Sequence, residues 1–357
     1  MKHILRALSA LLALALLAAC VPPQPYPASV NGELFFPADN GARADVVPAD
    51  CLVTGDPCPS PVTLSLYPEE WNIASIVWSP DGATAVVSSA DQPKDHLALF
   101  APPSRQLRKF TSLAMVSDLS WSPDGKLLAV AGRQDSGATG AQVASDNIYL
   151  YSAAGKELRN LTADMPGMKN DASWLTTDML LFQNVLLQDD CNIYTLTISS
   201  GDIVPWTALS LCEASPAVSP DGAWVAYVFE DNLYLADASG SNTTLILDLP
   251  EPIARPSWSP DGQWIAFDET DANAVGVVKP DGTSYVRTGE GVYSAGFAPL
   301  VDEALLLTTA PNFQLPGKTT ASWFVTPIPD GPTRPVIVPG IPPAEMPVNI
   351  SWRPREQ

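Results

Sequence analysis

Histidine is almost missing from this chain, with 2 in 357 residues. Charge is scarce too, at 16% where about 25% is usual. Basic residues are the rarest charge, 19 Lys and Arg against 39 Asp and Glu, which gives a formal charge of −20. So little charge beside 46% hydrophobic residues excludes a disordered chain. The acidic balance repels phosphate backbones, so no nucleic-acid partner is expected. No G-x-S-x-G elbow, P-loop or H-E-x-x-H pattern occurs, which removes the common hydrolase, nucleotide and zinc-protease signatures. Glycine has no three-residue period, so the chain is not collagen-like. The 36 prolines, spread along the whole length, exclude long unbroken helices as the main architecture. A turn-rich, all-β protein remains.

The one long apolar run lies at the start. Lys2 and Arg6 precede a stretch of leucines and alanines from Ala7 to Ala19, interrupted by Ser9. It is shorter than the ~20 residues that cross a bilayer comfortably, and it has the layout of an export signal. It ends Leu17-Ala18-Ala19-Cys20. This resembles the lipobox of bacterial lipoproteins, which implies that the Cys20 thiol takes up a diacylglycerol and becomes the first residue of the mature chain. The expected organisation is a signal peptide over residues 1–19 and a lipidated cysteine with a tether over 20–31. The rest of the chain, 32–357, is the folded body. Pro22, Pro23, Pro25 and Pro27 make the tether an extended polyproline-II segment. The expected location is extracytoplasmic, anchored by lipid to the bacterial cell membrane or outer membrane.

Four cysteines remain. An even number in an oxidising compartment reads as disulfides, and the alternative is free buried thiols. Of the three pairings, proximity favours Cys51 with Cys58 and Cys191 with Cys212. Metal ligation is disfavoured because no C-x-x-C spacing occurs.

An internal repeat governs the body. Trp78-Ser79-Pro80-Asp81-Gly82 returns as Trp121-Ser122-Pro123-Asp124-Gly125 and as Trp258-Ser259-Pro260-Asp261-Gly262. Val218-Ser219-Pro220-Asp221-Gly222 keeps the last four positions. Degenerate copies sit at Ala172-Ser173-Trp174, Gly296-Phe297-Ala298-Pro299 and Ser351-Trp352-Arg353-Pro354. The spacing is close to that of a four-stranded propeller blade, about 40–45 residues. The tetrapeptide suits a type I turn, with Ser at the first position, Pro second, Asp third and Gly fourth. An aliphatic strand follows each motif, as in Ala85-Val86-Val87 and Trp264-Ile265-Ala266-Phe267, and then a strand such as Asn232-Leu233-Tyr234-Leu235.

This combination of W-S-P-D-G, an aliphatic second strand and an I-Y-x-L third strand resembles the TolB-like family of bacterial β-propellers. The resemblance implies a ring of four-stranded antiparallel blades. TolB itself carries a sizeable α/β domain ahead of its propeller. Here a tether and a short strand-bearing stretch precede the first motif, so that protein's role is not carried over. Six repeats have all four strands, and the chain ends on a lone inner strand at Val348–Trp352. Such a strand needs partners. Gly32–Pro37, Cys51–Thr54 and Val62–Tyr67 would supply them, making seven blades with the last closed by both termini. The alternative is six blades with a decorated end.

In such blades the S-P-D-G turns share one face, and the second-to-third-strand and blade-to-blade loops share the other. The second face gathers Asp91, Asp95, Asp135, Asp146, Asp189, Asp190, Glu230, Asp231, Glu269 and Asp271, an acidic face suited to a basic protein, a peptide or a glycan of the envelope. The same residues also read as the solvated rim of an acidic protein. Calcium would be sought at Asp189-Asp190 or around Asp268–Asp271, but no D-x-[DN]-x-[DN]-G loop occurs and no cofactor is expected. Trp71 and Tyr293 are candidate binding aromatics, although such rings more often pack between blades. His96 is expected at an exposed strand edge, outside any catalytic role. The function expected is a lipid-anchored binding or scaffold module. The alternative is an enzyme acting on sugars or lactones through carboxylates at the channel mouth.

Overall fold

The computed structural model describes residues 32–37, 43–67, 71, 73–89, 95–134, 146–187, 190–207, 212–290, 293–298, 304–312, 320–341, 346–347 and 351–354. Their strands form seven separate antiparallel sheets. Blade 1 comprises β4 (Ile73–Trp78), β5 (Ala85–Ser89), β6 (Asp95–Phe100) and β7 (Arg108–Leu113). Blade 2 holds β8 (Met115–Trp121), β9 (Leu127–Arg133), β10 (Asn147–Ser152) and β11 (Glu157–Asn160). Blade 3 holds β12 (Met168–Trp174), β13 (Met179–Leu187), β14 (Asp190–Thr197) and β15 (Ile203–Pro205). Blade 4 runs from β16 (Glu213–Val218) through β17 (Trp224–Phe229) and β18 (Asn232–Asp237) to β19 (Thr244–Leu247). Blade 5 contains β20 (Ile253–Trp258), β21 (Ile265–Glu269), β22 (Ala274–Val278) and β23 (Val286–Glu290). Blade 6 contains β24 (Tyr293–Phe297), β25 (Leu305–Asn312), β26 (Thr320–Pro327) and β27 (Arg334–Pro335), with β28 (Met346–Pro347) as a fifth strand on β26.

The seventh sheet joins the two ends of the chain. Its order is β29 (Ser351–Arg353), β1 (Glu33–Pro37), β2 (Arg43–Pro48) and β3 (Val62–Ser65). Phe35 pairs with Ser351, and Glu33 with Arg353. The ring is therefore seven-bladed and closed by both termini, not six-bladed. One of the three expected N-terminal partners is corrected. Cys51–Thr54 forms no strand, and the middle partner is β2. Residues Asp50–Thr54 make a single helical turn, α1, stopped by Gly55 in the left-handed conformation at φ 77°. The Cys51–Cys58 disulfide, with Cα atoms 4.9 Å apart, folds this turn onto the core. Cys51 and Leu52 are buried there beside Val336 and Val338. The apolar pair was thus satisfied by one helical face rather than by a strand.

The S-P-D-G segments close as type I turns. The Gly N–H bonds the Ser carbonyl at 2.9 Å in Ser79–Gly82 and at 2.8 Å in Ser122–Gly125. In the first copy the Ser79 hydroxyl donates to Asp81 Oδ1 at 2.6 Å and accepts the Thr84 N–H at 3.1 Å, while Asp81 also accepts the Ala83 N–H at 3.0 Å. The copies at Ser122, Ser219 and Ser259 repeat this pattern. The bonds onto Asp81, Asp124 and Asp221, that from the serine first, hold these carboxyls below their usual range.

The motif tryptophan joins neighbouring blades. Trp121 Nε1 donates to the Val77 carbonyl at 3.1 Å, Trp174 to Ser120 at 3.0 Å and Trp258 to Ala217 at 2.9 Å. Each acceptor is the residue just before the motif aromatic, or its replacement, in the preceding blade. Blade 4 has Val218 and blade 6 has Phe297 where the other blades have an indole, so the seam of blades 3 and 4 lacks this bond. That seam holds the Trp206 Nε1 bond to the Ala238 carbonyl (3.2 Å) and the Cys191–Cys212 disulfide, whose Cα atoms are 4.6 Å apart. Apolar burial follows the same plan. The seven buried clusters among the described residues lie one to a seam.

Candidate binding site in the central channel

Each inner strand of blades 1 to 6 carries a β-bulge at the same height. The pairing shifts between Ile73 and Ser75, Val116 and Asp118, Asn170 and Ser173, Ala214 and Ala217, Ala254 and Ser257, and Ser294 and Gly296. A bulge re-aims side chains and leaves backbone groups outside the ladder. In blades 3, 4 and 5 it puts Asp171, Ser215 and Arg255 at φ 51°, 52° and 50°. Non-glycine residues adopt that left-handed region only where surrounding structure holds them.

The re-aimed residues line one cavity of about 480 Å³, walled by Asp118, Asp171, Ser215, Arg255 and Trp258 from the inner strands of four consecutive blades. This is the lumen of the ring. A second hollow of about 270 Å³ shares Asp118 and adds Ser75, Ser89 and Asp95.

Carboxylates tie one bulge to the next around the lumen. Asp95 Oδ2 accepts the Val116 N–H at 2.9 Å. Asp118 Oδ2 accepts the Ala172 N–H and its Oδ1 the Leu119 N–H, both at 2.8 Å. Asp171 Oδ2 accepts the Ser215 hydroxyl at 3.2 Å. Burial, opposed by these bonds, pushes the Asp118 carboxyl up to about 6, and Asp171 adds to the rise. Asp171 opens onto the lumen, but protein surrounds the lumen, and this enclosure raises its carboxyl as well. Across the cavity, Arg255 pairs with the buried Asp268 while 61% of its side chain stays exposed. The lumen therefore has a carboxylate side on blades 2 and 3 and a guanidinium side on blade 5. It can take a cationic group against the first.

Apart from Asp95, which belongs to the expected acidic face, these residues are not singled out by the sequence motifs, although a signal for them exists. Three positions before the motif aromatic, or its replacement, stand Ser75, Asp118, Asp171, Ser215, Arg255, Ser294 and Asn349. Every copy is polar. Asn349 lies outside the described residues.

The expected acidic face is only partly assembled. Glu230 and Asp231 are exposed at a two-residue hairpin turn with φ 46° and 64°, and Asp271 is exposed in the turn after β21. Asp146 and Glu269 are not on an open rim. Asp146 is 1% exposed and accepts Arg133 Nε at 2.8 Å. Glu269 is fully buried, accepts the Tyr285 hydroxyl at 2.6 Å and pairs with Arg287. Their place at strand ends, facing an arginine across the sheet, explains the difference. Cys20, Asp91, Asp135 and Asp189 and the side chains of Asp190 and Tyr293 lie outside the described residues. Trp71 is 5% exposed and packs 5.5 Å from the His96 ring. His96 is half-buried rather than at an open edge, its Nδ1 2.9 Å from the Ser112 hydroxyl. No group of three or more His, Cys, Asp or Glu among the described residues is arranged to hold a metal. No helix among them is long and apolar enough to cross a membrane.

Residues 104–137, spanning blades 1 and 2, match the family model "WD domain, G-beta repeat". The chain superposes on TolB from Acinetobacter baumannii with a TM-score of 0.52 over 92% of this chain and 68% of that one, at 16% identity. The fold is that of a TolB-type propeller. An oligogalacturonate lyase in complex with manganese shares the fold as well, with a TM-score of 0.54 at 13% identity over 75% of this chain and 77% of the lyase. A search of curated protein sequences finds no match.

Proposed function

We propose that this chain is an exported propeller, lipidated at Cys20 and held outside a bacterial membrane by the 20–31 tether, that binds a basic segment of a protein or peptide partner in its central channel. The observation that carries the reading is the lumen: a cavity of about 480 Å³ into which a bulge on each of four consecutive inner strands turns a polar residue, with Asp118 and Asp171 on one wall. Both carboxyls are raised chiefly by burial, so the wall holds negative charge that a cation would stabilise. The two disulfides suit an oxidising compartment, and the charge of −20 steers basic partners toward the ring.

Two experiments test the two halves. Isothermal titration compares a lysine-bearing peptide with its glutamine counterpart. The lysine peptide binds saturably, the glutamine peptide binds at least tenfold more weakly, and the Asp118→Asn, Asp171→Asn double variant loses the difference. Equal affinity for both peptides contradicts the channel reading, and turnover of a sugar or lactone would favour an enzyme instead. For the anchor, palmitate labelling in a bacterial host marks the wild type, and Cys20→Ser loses the label and moves to the soluble fraction.

A further inference from the structure

Of the seven residues that stand three positions before the motif aromatic or its replacement, Arg255 is the one base; the others are serine, aspartate or asparagine. The wall of the lumen is therefore ordered by charge along consecutive blades. Asp118 and Asp171 lie on blades 2 and 3, neutral Ser215 on blade 4 and Arg255 on blade 5. The charge that acts on the Asp118 carboxyl is that of Asp171, so the two walls keep their opposite signs.

Pairing with Asp268 accounts for only part of Arg255. Arginines that serve buried carboxylates elsewhere are drawn in against them: Arg133, Arg287 and Arg353 keep 34%, 37% and 11% of the side chain exposed. Arg255 keeps 61% and lines the cavity with it. A guanidinium has five N–H donors, and a fork-shaped contact with one carboxylate uses two. The group is also fixed before a ligand arrives. The bulge holds Arg255 at φ 50°, and Asp268, 1% exposed, holds the guanidinium.

We infer that the lumen takes the C-terminal end of a basic peptide, with the free carboxylate on Arg255 and a cationic side chain on the Asp118 and Asp171 wall; this rests on the channel reading above. Arginine matches a carboxylate in shape as well as in sign. The net charge of −20 disfavours acidic side chains in a ligand. The C-terminal carboxylate is the one anion that a basic peptide carries in any case. A cavity of about 480 Å³ holds a ligand of small-molecule size, which suits a chain end.

The test titrates the full folded chain with an N-acetylated tetrapeptide ending in lysine, made as the free acid and as the C-terminal amide. The acid binds at least tenfold more tightly than the amide. Long-range attraction predicts the reverse order, because the acid carries one more negative charge and the protein is acidic. Arg255→Gln binds the two forms equally. The Asp118→Asn, Asp171→Asn variant binds both more weakly and still prefers the acid. The comparison in wild type needs no variant, so it stands even where Arg255→Gln folds poorly. Equal affinities in wild type, tighter binding of the amide, or an acid preference that survives in Arg255→Gln overturns the inference. If the amide still binds more tightly than its glutamine counterpart, the channel reading survives that failure; if neither lysine form binds, both fall.

Discussion

Aspartate serves two opposite purposes in this ring, and the bonds around each one decide which. In the turns, Asp81, Asp124 and Asp221 accept a serine hydroxyl and a backbone N–H, and their carboxyls are held low. In the channel, Asp118 is enclosed and its carboxyl is raised to about 6. The signs differ accordingly. A depressed folded-state pKa gives stability that is present above the unfolded value, about 3.9, and is lost as pH falls through the folded one. A raised folded-state pKa does the reverse: Asp118 lowers stability as pH rises from about 4 to about 6. Urea midpoints across that interval should therefore show a downward contribution that disappears in Asp118→Asn. An unchanged pH slope in the variant would remove Asp118 as its source. The turn network has its own test. Ser259 is fully buried, donates to Asp261 and accepts the Trp264 N–H. Ser259→Ala should cost about 1–3 kcal/mol in urea unfolding, and a cost below about 0.5 kcal/mol would show these bonds to be marginal. At this scale the sequence made the turns readable, because Ser, Pro, Asp and Gly each suit one turn position. It left the channel residues unread, because a polar residue in a strand shows its direction only once a bulge has turned it.

Among elements, the seams between blades decide the architecture. The motif indole reaches the preceding blade's main chain at three described seams. Trp121→Phe keeps the aromatic volume nearly intact and leaves the Val77 carbonyl without this donor. It should destabilise by about 1–3 kcal/mol, read from denaturant midpoints, and a midpoint equal to wild type would reduce the indole to a space-filler. Blade 4 lacks the indole, and its seam with blade 3 carries a disulfide and the Trp206 bond to Ala238 instead. Strand positions following W-S-P-D-G were legible because aliphatic runs follow each turn at a fixed offset. The N-terminal strands had no such offset to read. Arg43–Pro48 and Cys51–Thr54 are both short apolar stretches, and only the Gly55 cap and the Cys51–Cys58 bridge decide that the second curls into a helical turn. Pattern also misplaced Asp146 and Glu269, because an acidic residue beside a loop looks solvated until its arginine is seen across the sheet.

For the whole molecule, everything rests on closure. Ser351–Arg353 supplies the inner strand of the blade that the N-terminal strands complete. Arg353 fastens it: Nη1 reaches Glu33 at 3.0 Å, Nε reaches the Gly82 carbonyl of blade 1 at 2.8 Å, and the guanidinium lies 5.1 Å from the Trp78 ring centre. Deleting residues 351–357 should abolish the single cooperative thermal transition, since β1 loses its inner partner and the lumen its complete wall. A cooperative transition at the wild-type temperature would show that the ring stands without its clasp. Repeat spacing and a lone terminal strand make closure legible in the sequence, but the polarity of the lumen arises only where consecutive inner strands surround one axis. The central claim, that this lumen takes a cationic peptide group against Asp118 and Asp171, has a direct measurement. A lysine-bearing peptide is titrated into wild type and into the Asp118→Asn, Asp171→Asn variant on either side of pH about 6. Affinity should tighten in wild type as Asp118 ionises and should be weaker and insensitive to pH in the variant. Affinity that is the same in both proteins, or that weakens in wild type above that pH, would contradict the account.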